Sequence, residues 1–177
     1  MRRTFEYMKN CFFILLLLFS APSANAQFRQ AVIGIDGLTC SACSFGTQKS
    51  IMRLDFVDSV KMDLNKNIAT ITFKPGKKVS IDAIVQKVYD AGFSVRSVHA
   101  VYEFTDMKAV NDAFFNFEDN AYEFIGLSGE RTLNGPVDLT FINEKYISKK
   151  EMKKWKDLIA KAKPCTLGKQ KPYYVTL

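Results

Sequence analysis

The chain has 177 residues, with 25 Lys and Arg against 18 Asp and Glu, a single His and four Cys. One histidine leaves little for a Ser-His-Asp arrangement, and no phosphate-cradling glycine loop or paired-carboxylate motif stands out, so an enzyme is not expected. The formal charge of +7 would suit an anionic partner, but its distribution argues otherwise, as shown below. Residues 1–26 carry a basic start (Arg2, Arg3, Lys9), an apolar run from Phe12 to Phe19 too short to span a bilayer, and the small-x-small pattern Ala24-Asn25-Ala26. They read as a secretion signal, with an uncleaved N-terminal anchor as the competing reading. The expected mature chain starts at Gln27 and is exported across the inner membrane to the periplasm. Cys11 leaves with the signal, so Cys40, Cys43 and Cys165 remain. An odd number in an exported chain is not a disulfide framework.

From Phe28 to Asp36 the apolar positions Ala31, Ile33 and Ile35 alternate as in a strand. Gly37-Leu38-Thr39-Cys40-Ser41-Ala42-Cys43 follows as a loop. Cys43, Thr47, Ile51 and Leu54 then lie on one stripe of a helix. Val60, Met62 and Leu64 alternate, Asn65-Lys66-Asn67 is a turn, and Ala69, Ile71 and Phe73 alternate again, which makes a hairpin. After Pro75-Gly76, Ser80 is an N-cap for a helix with Ile81, Ile84, Val85, Val88 and Ala91 on one face, stopped by Gly92. Phe93 to His99 is a strand. The order β-α-β-β-α-β within about seventy residues is the ferredoxin-like pattern, an α+β unit with both helices on one face of an antiparallel sheet.

Gly37-Leu38-Thr39-Cys40-Ser41-Ala42-Cys43 after a strand, with Asp90-Ala91-Gly92-Phe93 some fifty residues on, resembles the heavy-metal-associated domain. That family includes copper chaperones, the amino-terminal modules of copper-transporting ATPases and periplasmic mercury-binding proteins. The resemblance covers residues 29–99. It implies that Cys40 and Cys43 hold a soft metal ion and that Leu38, where the family usually has methionine, is buried beneath the loop. Phe93 stands where the family places an aromatic or lysine beside that loop, as a shield for sulfur or as ordinary core.

Two thiols at the start of a helix suit this role, because the amides and the positive end of the dipole favour the thiolate, the ligating form. With no His or carboxylate nearby, two sulfurs suit Cu(I) first and Hg(II) next. Zn(II) is a further candidate, although a structural zinc site calls for four protein ligands. The expected function is capture of the ion and its transfer to a protein partner, a transporter or cuproprotein. The rivals are a thiol-disulfide oxidoreductase using the same pair and a mercury scavenger, and a Cys40–Cys43 disulfide would silence metal binding.

The expected organisation is a signal (1–26), a metal-binding domain (27–100) and a second small α+β domain (101–177). In the last segment the pattern gives a strand at Val101 to Phe104, a helix from Met107 to Phe117, and strands at Ala121 to Leu127 and Val137 to Ile142. A helix capped by Ser148 then runs to Lys163, and a strand closes the chain at Tyr173 to Leu177. A second β-α-β-β-α-β unit is one way to read this order. Phe114, Phe115, Phe117, Tyr122 and Phe124 read as core. Residues 101–144 carry two basic and nine acidic side chains, and 145–177 carry ten basic and two acidic. The two blocks are expected to pair with each other, which argues against a nucleic-acid partner and leaves membrane-surface contact as a minor reading. His99 and Cys165 are expected to have no role in the chemistry.

Overall fold

The computed structural model describes residues 28–162 and 172–177. The signal and Cys165 lie outside them. The elements are β1 (Phe28–Asp36), α1 (Ser41–Met52), β2 (Val57–Asp63), β3 (Ile68–Phe73), α2 (Ile81–Asp90), β4 (Ser94–Ala109), β5 (Phe114–Phe117), β6 (Asn120–Phe124), β7 (Arg131–Ile142), α3 (Lys149–Lys161) and β8 (Tyr173–Thr176). Among the described residues no helix is long and apolar enough to cross a membrane.

The first six elements follow the expected order, and their strands lie as β2-β3-β1-β4. Three antiparallel pairings join them. Each helix start has its cap. Ser80 Oγ accepts from Ala83 N at 3.2 Å, and α2 buries the face formed by Ile81, Ile84, Val85 and Val88. At its end Gly92 takes φ +87°, a left-handed value that disfavours a side chain. Helix α1 buries Ser44, Thr47 and Ile51, a narrow and partly polar stripe that Gln48 supplements by donating to Val60 O on β2 at 2.7 Å.

Beyond residue 100 the structure departs from expectation. Strand β4 does not stop there but runs on to Ala109. It pairs with β1 through Tyr102 and with β7 from His99 to Ala109. The second half is α+β, as expected, but its strands continue the same sheet, which runs β2-β3-β1-β4-β7-β8-β6-β5. The boundary expected at 100/101 therefore falls inside a strand rather than at a linker. Main-chain hydrogen bonding, invisible to a reading of side-chain periods, joins the halves.

The helix expected from Met107 to Phe117 is not formed. Ala109 ends β4 fully buried, Asp112 turns the chain at φ +63°, and Asn111 Oδ1 accepts from Gly126 N at 2.8 Å. Short Asn and Asp side chains tolerate such a turn and supply its local hydrogen bonds. Phe115 and Phe117 then share a strand face two residues apart and join the main core. A second β-α-β-β-α-β unit is likewise absent: β5, β6 and β7 follow one another without a helix, and β8 inserts parallel to β6 and antiparallel to β7.

The aromatic residues do build core. Phe115, Tyr122 and Phe124 are buried, whereas Phe114 is half-buried. Phe28, at the start of β1, packs edge-on against Tyr102 and Phe117 with ring centroids 5.2 and 5.5 Å away. One apolar cluster thus spans both halves. Successive strand residues point to opposite faces. Phe141 belongs to that cluster and Ile142 to a second one beneath α3, with Ile125, Ile147, Met152, Trp155 and Ile159. Helix α3 therefore covers the face opposite α1 and α2. Its N-cap is Ser148, whose Oγ accepts from Glu151 N at 3.2 Å.

The expected pairing of the two charge blocks is not seen among the described residues. Acidic side chains of residues 101–144 meet cations elsewhere: Glu103 meets Arg29, Asp119 meets Lys78 and Glu130 meets Lys108. In α3 the one ion pair is internal, between Lys154 and Glu151. The acidic block does lie against α3, with Ile125 and Ile142 packed beneath it and Glu144 bordering the same groove as Lys149, Lys153 and Lys156, but among the described residues that proximity did not become ion pairing.

Candidate functional site

Strand β1 delivers the cysteine loop to one end of the sheet. Gly37 turns at φ +92°, and a Cβ there would lie 3.3 Å from the Phe93 ring. The turn therefore needs glycine both for its dihedral and for the approach of that ring. Leu38 is buried under the loop at 4% exposure, as its position implied. Phe93 is half-buried, packs against the main cluster and supports Gly37 from below. Thr39, Cys40, Ser41 and Ala42 are exposed, and Cys43 is half-buried.

Cys40 is the N-cap of α1, in extended conformation with φ −141° and ψ 154°. Its Sγ accepts from Cys43 N at 3.2 Å, so the sulfur takes the place of the usual capping oxygen. No acidic side chain lies in the first turn, which leaves the positive helix end free to favour negative charge on sulfur. Cys40 and Cys43 are joined as a disulfide, with Cα atoms 5.4 Å apart. The two sulfurs therefore meet on an exposed loop, and a small movement after reduction would let both face one ion.

Among the described residues no group of three or more His, Cys, Asp or Glu side chains is placed to hold a metal. His99 lies within the sheet on β4, with Nδ1 3.2 Å from Thr140 Oγ1 and 3.9 Å from Asp138. The strand end expected at His99 is thus a mid-strand position, paired with Val32 on β1 and Thr140 on β7.

Two neighbours of the loop were not anticipated. Asn67, in the turn between β2 and β3, accepts from Ile35 N through its main-chain oxygen at 2.9 Å. With its amide nitrogen turned toward them, it donates to Leu38 O at 2.9 Å and Leu64 O at 3.1 Å. Arg96, on β4, donates to Asp36 Oδ1 at 2.8 Å and to Lys66 O at 3.1 Å. An asparagine in a hairpin turn signalled only a turn, and no sequence signal pointed to Arg96.

The model of the heavy-metal-associated domain matches residues 32–94. Residues 32–94 are a heavy-metal-associated domain. Relatives of this domain carry copper or mercury in their names. The copper-exporting P-type ATPase of Staphylococcus saprophyticus is 32% identical over 78 residues, which are 44% of this chain and 10% of the ATPase. The periplasmic component of the mercuric transport protein of Shigella flexneri is 27% identical over 86 residues, covering 49% of this chain and 93% of that protein. Among solved structures, oxidized MerP from Ralstonia metallidurans is 28% identical and covers 39% of this chain and 97% of that one, with a TM-score of 0.35. The chain thus spans a tenth of the copper-exporting ATPase that it matches. The matched stretch ends within β4, so β5 to β8 and α3 lie outside the heavy-metal-associated domain.

Proposed function

We propose that this protein captures one soft metal ion, Cu(I) in the first instance, between Cys40 and Cys43 and passes it to a protein partner by thiolate exchange. The observation that carries the reading is a Cys40–Cys43 pair, the first exposed and the second half-buried, with Cα atoms 5.4 Å apart, at the capped start of α1. Thiolates suit soft ions, and a site with only two protein sulfurs leaves coordination positions open to an incoming partner thiol. The disulfide is the resting, closed form. An external dithiol would supply two electrons and two protons to open it, becoming a disulfide itself, and Cu(I) binding would then displace the remaining thiol protons. The N-terminal signal pattern supports a periplasmic location and a transporter or cuproprotein as partner.

A second ion, Hg(II), is favoured by one specific observation. The mercuric transport component is matched over nearly its whole length, whereas the ATPase match is confined to a small module. Reduced protein titrated with Cu(I) against a competing chelator, and with Hg(II) in parallel, separates the two. Cys40→Ser with Cys43→Ser should abolish one-to-one binding while circular dichroism stays unchanged. Retention of stoichiometric binding by that double variant would remove the site. Reduction of a protein disulfide by the wild type at a catalytic rate would favour the oxidoreductase reading instead.

A further inference from the structure

The cysteine loop is held on one side and free on the other. We propose that Asn67 and Arg96 are positioning residues for this loop, fixing how Cys40 is presented to Cys43. For metal affinity the inference rests on the metal-capture reading, but for the geometry of the two thiols it does not.

Asn67 ties the end of β1 and the loop to the turn between β2 and β3. Its left-handed φ of +51° is one that asparagine tolerates better than most residues. That conformation lets its main-chain oxygen accept from Ile35 N, the penultimate residue of β1, at 2.9 Å. It also lets the side-chain amide span Leu38 O and Leu64 O. The first carbonyl belongs to the loop and the second to the turn, so one side chain locks the turn against the loop. The turn is itself braced by Asp63 Oδ1, which accepts from Asn65 N and Lys66 N at 2.9 and 3.1 Å.

Arg96 makes the second hold from the other neighbouring strand. Its two terminal nitrogens reach Asp36, the residue before Gly37, and Lys66 O, the residue before Asn67. A planar guanidinium fixes the relative position of two acceptors in a way that a flexible ammonium does not. Gly34 lies across β1 from this side chain, and a Cβ there would come within 2.5 Å of Ser97 Oγ while only touching Arg96 Nε at 3.4 Å. The Arg96 main chain is fixed in turn by α3, since its carbonyl accepts from Ser148 N at 3.2 Å. The second half of the molecule is thus linked to the cysteine loop through Arg96.

The hold ends at Leu38. From Thr39 to Ala42 the chain is exposed, and the contacts of Cys40 Sγ are its disulfide partner and Cys43 N. Cys40 is tied to α1 by its cap, Cys43 N and Ser44 N donating to its Sγ and main-chain oxygen, and the point at which the chain enters that cap is set at Leu38 by Asn67 and Arg96.

The test uses Asn67→Gly, which keeps the left-handed turn but removes the amide, and Arg96→Gln, which removes the two-pronged donor. The first readout needs no metal: the equilibrium constant of the Cys40–Cys43 disulfide against a glutathione buffer, with free thiols counted by alkylation. Each variant should lower that constant by about three- to tenfold, since a loosened loop closes the disulfide less readily. The second readout is Cu(I) competition, where residues that orient ligands typically account for a ~10-fold or greater loss of affinity. Thermal melting of both variants separates loss of positioning from loss of fold, and Arg96→Gln remains informative should Asn67→Gly fail to fold. A disulfide constant within twofold of wild type in the folded variants overturns the proposal. A wild type that binds neither Cu(I) nor Hg(II), together with a shifted disulfide constant, would sink the metal-capture reading and leave the positioning role standing.

Discussion

The two ends of β4 serve opposite purposes. Near Ser94 the strand lies beside β1 at the end of the sheet that bears the cysteine loop, where residues 39–42 are open to solvent and Cys43 is half-buried. Toward Phe104 it borders a closed aromatic core in which Tyr102, Phe104, Phe115 and Phe124 pack with centroids about 5 Å apart. At the first end the loop from Thr39 to Ala42 is exposed and made of small residues, which suits a site proposed to open to an ion and to a partner's thiol. The second end is built from bulky rings and excludes water. Stability is thus concentrated away from the chemistry, and the two should respond to substitution independently.

The largest separation of the two ends should come from Phe124→Ala. Phe124 is fully buried, and truncating a buried phenylalanine costs about 3–5 kcal/mol. Calorimetry should show a melting temperature lower by ~10 °C. Cu(I) affinity of the protein that remains folded should stay within about twofold, which corresponds to well under 1 kcal/mol. A large loss of affinity would break the comparison.

Next in size is a pH effect in the second half. Glu123 is fully buried and neither carboxylate oxygen has a hydrogen-bond partner. Burial, with Asp112 adding to it, pushes its pKa up to about 7. A carboxyl whose folded pKa lies above its unfolded value stabilises the fold while protonated. Stability should therefore fall as pH rises from about 4.5 to about 7 and then level off, by on the order of 2–3 kcal/mol. Urea titrations across this range should show the slope in wild type and lose it in Glu123→Gln.

The seam between the halves comes third. Both Tyr146 and Tyr173 donate to Asp82 in the first turn of α2, the latter at 2.6 Å, and Tyr146 is buried at 2% exposure. Asp82→Ala removes the acceptor that both hydroxyls share and leaves them only each other, at a cost of about 1–3 kcal/mol, which chemical denaturation should detect. The smallest effect is expected of Leu38→Met beneath the loop. A volume-conserving swap costs less than about 1.5 kcal/mol, and Cu(I) affinity should be unchanged within error. A large loss there would mean that the loop is less tolerant than its exposed residues suggest.

Much of this was legible in the residues themselves. The stripe Ile81, Ile84, Val85 and Val88, the alternation along β2 and β3, the caps Ser80 and Ser148 and the glycine turn at Gly37 are all local. Each follows from a period or from a preferred dihedral within a few residues. The candidate site was legible for the same reason, since two cysteines at the start of a helix are neighbours along the chain. The rest depended on what lies far away. The stretch from Met107 to Phe117 suits a helix by spacing, but pairing of β4 with β7 and of β5 with β6 satisfies its main chain as strands. Opposite charge blocks promised ion pairs, but although α3 packs over Ile125 and Ile142 of the acidic block, none forms between the two blocks among the described residues.

The sequence by itself determined the β-α-β-β-α-β unit, its capped helices and the loop that carries Cys40 and Cys43, because those depend on interactions over a few residues. Only the tertiary structure decided that the second half extends the same sheet, that α3 covers its opposite face, and that Asn67 and Arg96 reach the loop. Register and hydrogen bonding between distant strands leave no periodic mark on side chains, so they become visible only once the chain has folded.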